Sequence, residues 1–147
     1  MFPQHLGDYV DLEFIHAASV TAGGGGDDSE VNGDSIDRQD FYSAVLGIPL
    51  EATLAEDETA TLAVTIQESA DGSAWADADD GYQPDNVVLT GDTGGSTETG
   101  IMEHDLDLKG LERYIRAQIT LTFSAADTDT GAYGANIALG GSVKKPV

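Results

Sequence analysis

Arg113-Tyr114-Ile115-Arg116-Ala117-Gln118-Ile119-Thr120-Leu121-Thr122-Phe123 alternates apolar and polar side chains along its whole length. Ile115, Ala117, Ile119, Leu121 and Phe123 share one face and the intervening residues the other, which is the two-residue repeat of a strand with one side buried. Ala60 to Glu68 repeats it, with Leu62, Val64 and Ile66 opposite Thr61, Ala63, Thr65 and Gln67.

Three further rows keep the period: Val10, Leu12 and Phe14; Leu46, Ile48, Leu50, Ala52 and Leu54; and Tyr133, Ala135, Ile137 and Leu139. Shorter candidates are Val87 to Thr90 and Met102 to Leu108. Breakers rich in Gly, Asp and Ser separate these runs. Pro49 has no N–H to give a ladder, so its strand is expected at a sheet edge or a bulge. Ser35 to Val45, capped by Asp34 or Ser35, is the one segment expected to turn briefly helical. About eight strands with almost no helix predict an all-β fold, an antiparallel β-sandwich of jelly-roll type with these apolar rows sealed between two sheets. The long loops, Ala22 to Asp28, Thr90 to Gly100 and Ala125 to Gly131, are too polar for the core and are expected to be mobile or ordered by a neighbour.

A chain of 147 residues predicts one domain spanning 1-147, with arms at 1-7 and 142-147 expected to be flexible. A domain of this size needs no disulfide, so the absence of cysteine decides nothing about compartment. The opening residues lack both a basic stretch and a long apolar run, so no export signal is expected and the protein is expected in the cytoplasm until assembly.

Asp and Glu number 27 against 6 Lys and Arg, a formal net charge of -21. Binding a nucleic acid takes clustered cations that displace its counterions, and an anionic membrane repels such a chain, so neither is an expected partner. Residues 109 to 147 hold 3 acids and 5 bases, whereas residues 1 to 108 carry 24 acids and the single base Arg38. The asymmetry reads first as solubility in a salty medium, and second as a basic C-terminal third that docks an acidic copy of the same protein, or an acidic face that docks a more basic partner.

Candidate chemistry is sparse. Ser69-Ala70-Asp71-Gly72-Ser73-Ala74-Trp75 reads as a hairpin with a packed Trp rather than a sugar platform. Asp127-Thr128-Asp129-Thr130-Gly131 opens like a calcium loop, but Ala138 stands where the closing Glu belongs, so a solvated turn is expected. Asp77, Asp79, Asp80 and Asp85 form a second acidic cluster, also read as solvated. His5, His16 and His104 are too dispersed for a zinc site, and His104 shares a face with Met102, Leu106 and Leu108, as a hydrogen-bonded, half-buried histidine would. With 27 acids no carboxylate pair singles itself out, and neither a nucleophile elbow nor a phosphate loop is present. No enzyme activity, cofactor, catalytic residue or metal ligand is expected.

Asp37-Arg38-Gln39-Asp40-Phe41-Tyr42-Ser43-Ala44-Val45-Leu46, the stretch Gln67 to Trp75, and Arg113-Tyr114-Ile115-Arg116 opening a Thr-rich strand together resemble small structural proteins encoded among the head genes of tailed bacteriophages. The likeness covers roughly residues 30 to 145. It implies a virion component, a capsid decoration or cement protein on the outer surface of the head that ties major capsid protein subunits together. It brings no catalytic residue with it. Many modest contacts hold a protein of that kind. Its expected partners are the major capsid protein and itself, as a homotrimer on a three-fold position. Phe2, Arg113, Arg116, Lys144 and Lys145 are the expected partner contacts, with Phe2 an apolar anchor and both chain ends ordering on a neighbour. Two other readings are a tail-tube or head-completion protein, and a carbohydrate-binding or adhesion module using Trp75 and Tyr82.

Overall fold

A computed structural model describes residues 5–125 and 127–141. Ten strands form: β1 (Asp11–Thr21), β2 (Val31–Asn32), β3 (Ile36–Asp37), β4 (Ser43–Leu54), β5 (Thr59–Ser69), β6 (Ala76–Asp77), β7 (Val87–Thr90), β8 (Ser96–Asp107), β9 (Tyr114–Phe123) and β10 (Thr130–Gly140). Among the described residues a short 3-10 turn at Leu6–Asp8 precedes β1, two more at Asp80–Tyr82 and Leu108–Gly110 lie between strands, and there is no α-helix.

One sheet runs β1-β10-β4-β8. In the other, β2 and β3 lie along β9, β9 pairs β5, and β5 carries β6 and β7 along its far side. All pairings are antiparallel, and the chain crosses between sheets after β1, β3, β4, β7, β8 and β9. Counting β2 with β3 as one interrupted strand, and β6 as an excursion, leaves the eight strands of a jelly roll.

The alternating rows decide the packing. Ala44, Leu46, Ile48, Leu50, Ala52 and Leu54 of β4 and Tyr133, Ala135, Ile137 and Leu139 of β10 are all buried. They face Ala60, Leu62, Val64 and Ile66 of β5 and Ile115 to Phe123 of β9. Met102, Leu106 and Leu108 join them. His104 is half-buried among these, and its Nε2 lies 3.0 Å from the Tyr82 carbonyl oxygen, as expected.

Four expectations are corrected. Leu12 and Phe14 are not core but 69% and 56% exposed. A bulge between Phe14 and His16 inserts Ile15 as an extra residue in β1, so residues 12 and 14 point outward while Ile15 and Val20 point inward.

Pro49 lies in β4, an interior strand. Its pairing with β8 is continuous through Pro49 and Ile101, whereas pairing with β10 lapses at Ile48 and Pro49 and resumes in the same register. The missing N–H is therefore absorbed on the β10 side without a bulge or a sheet edge.

Ser35 to Val45 is not helical. Ile36 pairs with Ile115, Phe41 N–H closes a turn on the Arg38 carbonyl at 3.0 Å, and β4 starts at Ser43. Local helix propensity is worth tenths of a kcal/mol per residue, and two sheet ladders outweigh it.

Two of the long loops are held in part by the chain itself. Asp27 accepts from Gly23 N–H at 2.7 Å and from Phe123 N–H at 3.0 Å, and residues 97 to 100 belong to β8 rather than to a loop.

The Asp71-Gly72 hairpin forms as expected. Gly72 has φ +77°, a conformation costly for other residues. Asp71 Oδ1 accepts from the Ser73 and Ala74 N–H groups at 2.8 and 2.9 Å, and Ser69 Oγ accepts from Gly72 N–H at 2.9 Å. Those bonds, led by the one from Ala74, hold the Asp71 carboxyl well below the usual range. Its contribution is thus present above the unfolded value of about 3.9 and lost as pH falls toward the folded one. Asp71→Ala is expected to lower Tm at neutral pH, with the gap to the native protein closing under acid conditions and Asp71→Asn, which keeps an acceptor, falling between. Thermal unfolding across pH checks this, and a gap that persists unchanged at the acid end would refute it.

Candidate functional site: an apolar sheet face and an acidic loop end

Sheet register places the outward side chains of β1-β10-β4-β8 in rows. Leu12, Ala138, Val45 and Asp105 make one row, and Phe14, Asn136, Gly47 and Glu103 the next. Pro49 and Ile101 follow beside Gly134. Leu12, Phe14, Val45 and Ile101 are 40% to 69% exposed. Between them stand small residues, and nothing lies within 4 Å of where a Cβ would project from Gly47 or Gly134. Shallow open depressions therefore lie over Val45 and Ala138, and over Pro49 and Gly134. Apolar bulk at the rim with a low centre lets another protein approach the backbone closely, and an exposed apolar patch of this kind marks an interaction surface.

The outer face of the other sheet is different in kind. It carries Thr61, Thr65, Gln118, Thr120 and Thr122, several already paired: Gln118 Nε2 donates to Asn32 Oδ1 at 2.8 Å and Thr122 Oγ1 to Asp28 Oδ1 at 3.1 Å.

The described bases are confined to one end of the strands, whereas acids occur at both, with Asp37, Asp40, Glu68, Asp71, Asp77, Asp105, Asp107 and Glu112 at the end that holds the bases. Antiparallel pairing gathers the connections after β1, β4, β7 and β9 at one end. Residues 22–30, 55–58, 91–95 and 124–129 there include nine acids, Asp27, Asp28, Glu30, Glu56, Asp57, Glu58, Asp92, Asp127 and Asp129, and no Lys or Arg. Arg38, Lys109, Arg113 and Arg116 all lie toward the opposite end.

Inside the acidic end the turn after β4 is welded to its neighbours. Asp57 N–H donates to the Gly91 carbonyl at 3.1 Å and Gly91 N–H to the Glu58 carbonyl at 2.9 Å. A Cβ on Gly91 would lie 2.1 Å from the Ala55 carbonyl oxygen, so only glycine fits. Asp129 Oδ1 accepts from Ala55 N–H at 2.8 Å, and Asp127 Oδ1 from Asp129 N–H at 3.2 Å. The expected solvated turn at residues 127 to 131 is exposed at Asp127, Thr128 and Thr130, but Asp129 is only 2% exposed and Gly131 is buried in β10.

Oxygens of Glu58, Asp127 and Asp129 lie within 4.8 Å of one another. With all three ionised, Glu58 Oε2 and Asp129 Oδ2 are buried without a hydrogen-bond donor. A proton on Glu58 lets it bond to Asp129, the main reason its carboxyl is pushed up to about 7, with burial and then the charge of Asp127 adding to it. The Asp127-x-Asp129 spacing was legible in sequence, but Glu58 was not, because it arrives on a different turn. Among the described residues no such convergence joins Asp77, Asp79, Asp80 and Asp85.

Of the expected partner contacts, Phe2, Lys144 and Lys145 lie outside the described residues. Arg113 and Arg116 are already engaged within the chain. Arg113 makes a two-pronged pair with Asp37 at 3.1 and 2.8 Å, and that bonding holds the Asp37 carboxyl below its usual range. Arg116 donates to Gln67 Oε1 at 2.8 Å and lies 4.4 Å from the centre of the Trp75 ring. Trp75 is thus half-buried under a guanidinium, and Tyr82 packs against the core. The guanidinium covers one side of Trp75, whereas Tyr82 lines an open depression with Tyr42, Leu106 and Lys109.

No protein-family model matches the chain, and no curated protein matches it. Among solved structures, a subviral particle of infectious bursal disease virus VP2 is 14% identical, with a TM-score of 0.49 over 88% of this chain and 32% of that one. This chain therefore spans about a third of the length of that protein. Sacbrood virus of honeybee follows at 10% identity and a TM-score of 0.40, covering 97% of this chain and 77% of that one. A Bacillus endospore appendage protein reaches 11% identity and 0.37, over 90% and 88%. Superpositions at this level transfer neither activity nor partner to this chain.

Proposed function

We propose that this chain is a virion structural protein, a jelly-roll decoration or cement subunit that lays the outer face of β1-β10-β4-β8 on the major capsid protein of a tailed-phage head. The observation that carries the reading is that face: Leu12, Phe14, Val45 and Ile101 exposed around a low centre of Gly47, Gly134 and Ala138, on a fold whose other outer face is mainly Thr and Gln with Val88 as its exposed large apolar side chain. The resemblance of residues 30 to 145 to phage head proteins supports the choice of partner. Each contact is modest, and many symmetry-related copies hold through their number.

Copies also meet one another under this proposal. One end of the sandwich has nine loop acids and no base and the other holds all four described bases among further acids, so head-to-tail contact can set individual bases against the acidic loops and close into a ring of three at a three-fold position. Phe2, Arg113, Arg116, Lys144 and Lys145 serve such contacts. The proposed location is the capsid surface, after synthesis in the host cytoplasm, and the proposed role is structural rather than catalytic.

The test is reconstitution. Purified protein is mixed with heads lacking it and sedimented, and the heads are then heated. Bound protein that delays rupture is the expected result. Protein left in the supernatant, with heads equally robust without it, would overturn the assignment.

A further inference from the structure

We propose that Glu58, Asp127 and Asp129 form a binding site for one Ca2+ ion at the acidic end of the sandwich. Three carboxylate side chains offer oxygens within 4.8 Å of one another. That fits around a single ion, since two ligands of one Ca2+ stand at most about 5 Å apart at Ca–O distances of about 2.4 Å. An acidic cluster alone would be a solvated surface. Here Asp129 is 2% exposed, and with the cluster ionised its Oδ2 and Glu58 Oε2 are buried with no hydrogen-bond donor. A buried carboxylate oxygen without a partner is costly by desolvation, and a cation satisfies two such oxygens at once.

The ligands are placed by structure formed without an ion. Asp129 Oδ1 is fixed by Ala55 N–H, and Asp127 Oδ1 by Asp129 N–H. Ser124 N–H bonds to the Thr59 carbonyl at 2.9 Å, and Thr59 N–H to Ser124 Oγ at 2.8 Å, which holds the loop after β9 against the base of β5 beside Glu58.

All-oxygen, all-carboxylate ligation selects a hard cation, with no His or Cys to draw zinc or copper. Three side chains and added waters suit the adaptable shell of Ca2+ better than the rigid octahedron of Mg2+. Both turns that bear the ligands cross between the sheets, β4 to β5 and β9 to β10. One ion would therefore tie the two sheets together at an end with nine loop acids and no Lys or Arg. This site is independent of the partner assigned above.

The experiment uses the full chain, stripped with a chelator, at about 0.15 M NaCl so that screening over about 8 Å suppresses diffuse attraction to the -21 charge. Calorimetric titration with CaCl2 should show one ion per chain saturating at roughly millimolar concentration or below. Saturating Ca2+ should raise Tm by roughly 4 °C or more, and Mg2+ by much less. Asp127→Asn alters an exposed residue and keeps an acceptor for Asp129 N–H, so it should fold. It and Glu58→Gln should each weaken Ca2+ binding at least about tenfold. The proposal is overturned if the native chain shows no saturable binding, if both variants bind like it, or if Mg2+ serves equally well.

Discussion

Leu46→Ala is expected to cost about 3 kcal/mol of folding stability, whereas Leu12→Ala is expected to change it by no more than about 0.5 kcal/mol. Both leucines sit in period-2 rows and remove the same atoms. Leu46 is fully buried between the two sheets, so truncation loses its transfer free energy and leaves a cavity that close-packed strands cannot collapse to fill. Leu12 is 69% exposed on the outer face, beyond the bulge at Ile15. Against a total of roughly 5–15 kcal/mol, the first loss is large. It should lower Tm by roughly 10 °C and shift the urea midpoint with an unchanged slope. Equal losses for the two would mean that β1 has no phase change and that Leu12 belongs to the core.

That contrast also shows where sequence reading stops. Rows such as Leu62, Val64 and Ile66, or Ile115 to Phe123, are legible because alternation is a property of adjacent residues and both faces keep one phase for the length of the strand. A bulge breaks the phase without any mark in composition, so Leu12 and Phe14 read as core. Pro49 read as an edge marker because its lost N–H was certain while the direction of that N–H was not. Only the register, continuous with β8 and interrupted toward β10, tells which neighbour does without it.

Partnerships between distant segments were the other gap. Arg113 and Arg116 were recognisable as scarce bases in an acidic chain, but Asp37 and Trp75 as their companions depend on which strands lie side by side. Glu58 looked like one acid among 27, and its meaning comes from the crossover that sets it against Asp129.

Phe14→Asp is expected to abolish attachment to the shell, weakening it at least about 100-fold, or about 2.7 kcal/mol, while Tm stays near that of the native protein. Phe14 is 56% exposed, so its ring contributes little to folding but offers the largest apolar side chain on the outer face of β1-β10-β4-β8. Aromatic anchors that become buried in an interface carry a large share of its energy, and a carboxylate there must also be desolvated without a partner. The matched control is Val88→Asp, on the opposite sheet. Val88 is also 56% exposed and apolar, and the substitution adds the same charge to a chain already at -21. A general electrostatic effect would weaken both variants alike, whereas a docking face confined to one sheet weakens only the first. Co-sedimentation with heads at two salt concentrations separates these outcomes. Equal binding by the two variants would remove this face from the interface and shift attention to the loops at the ends of the sandwich.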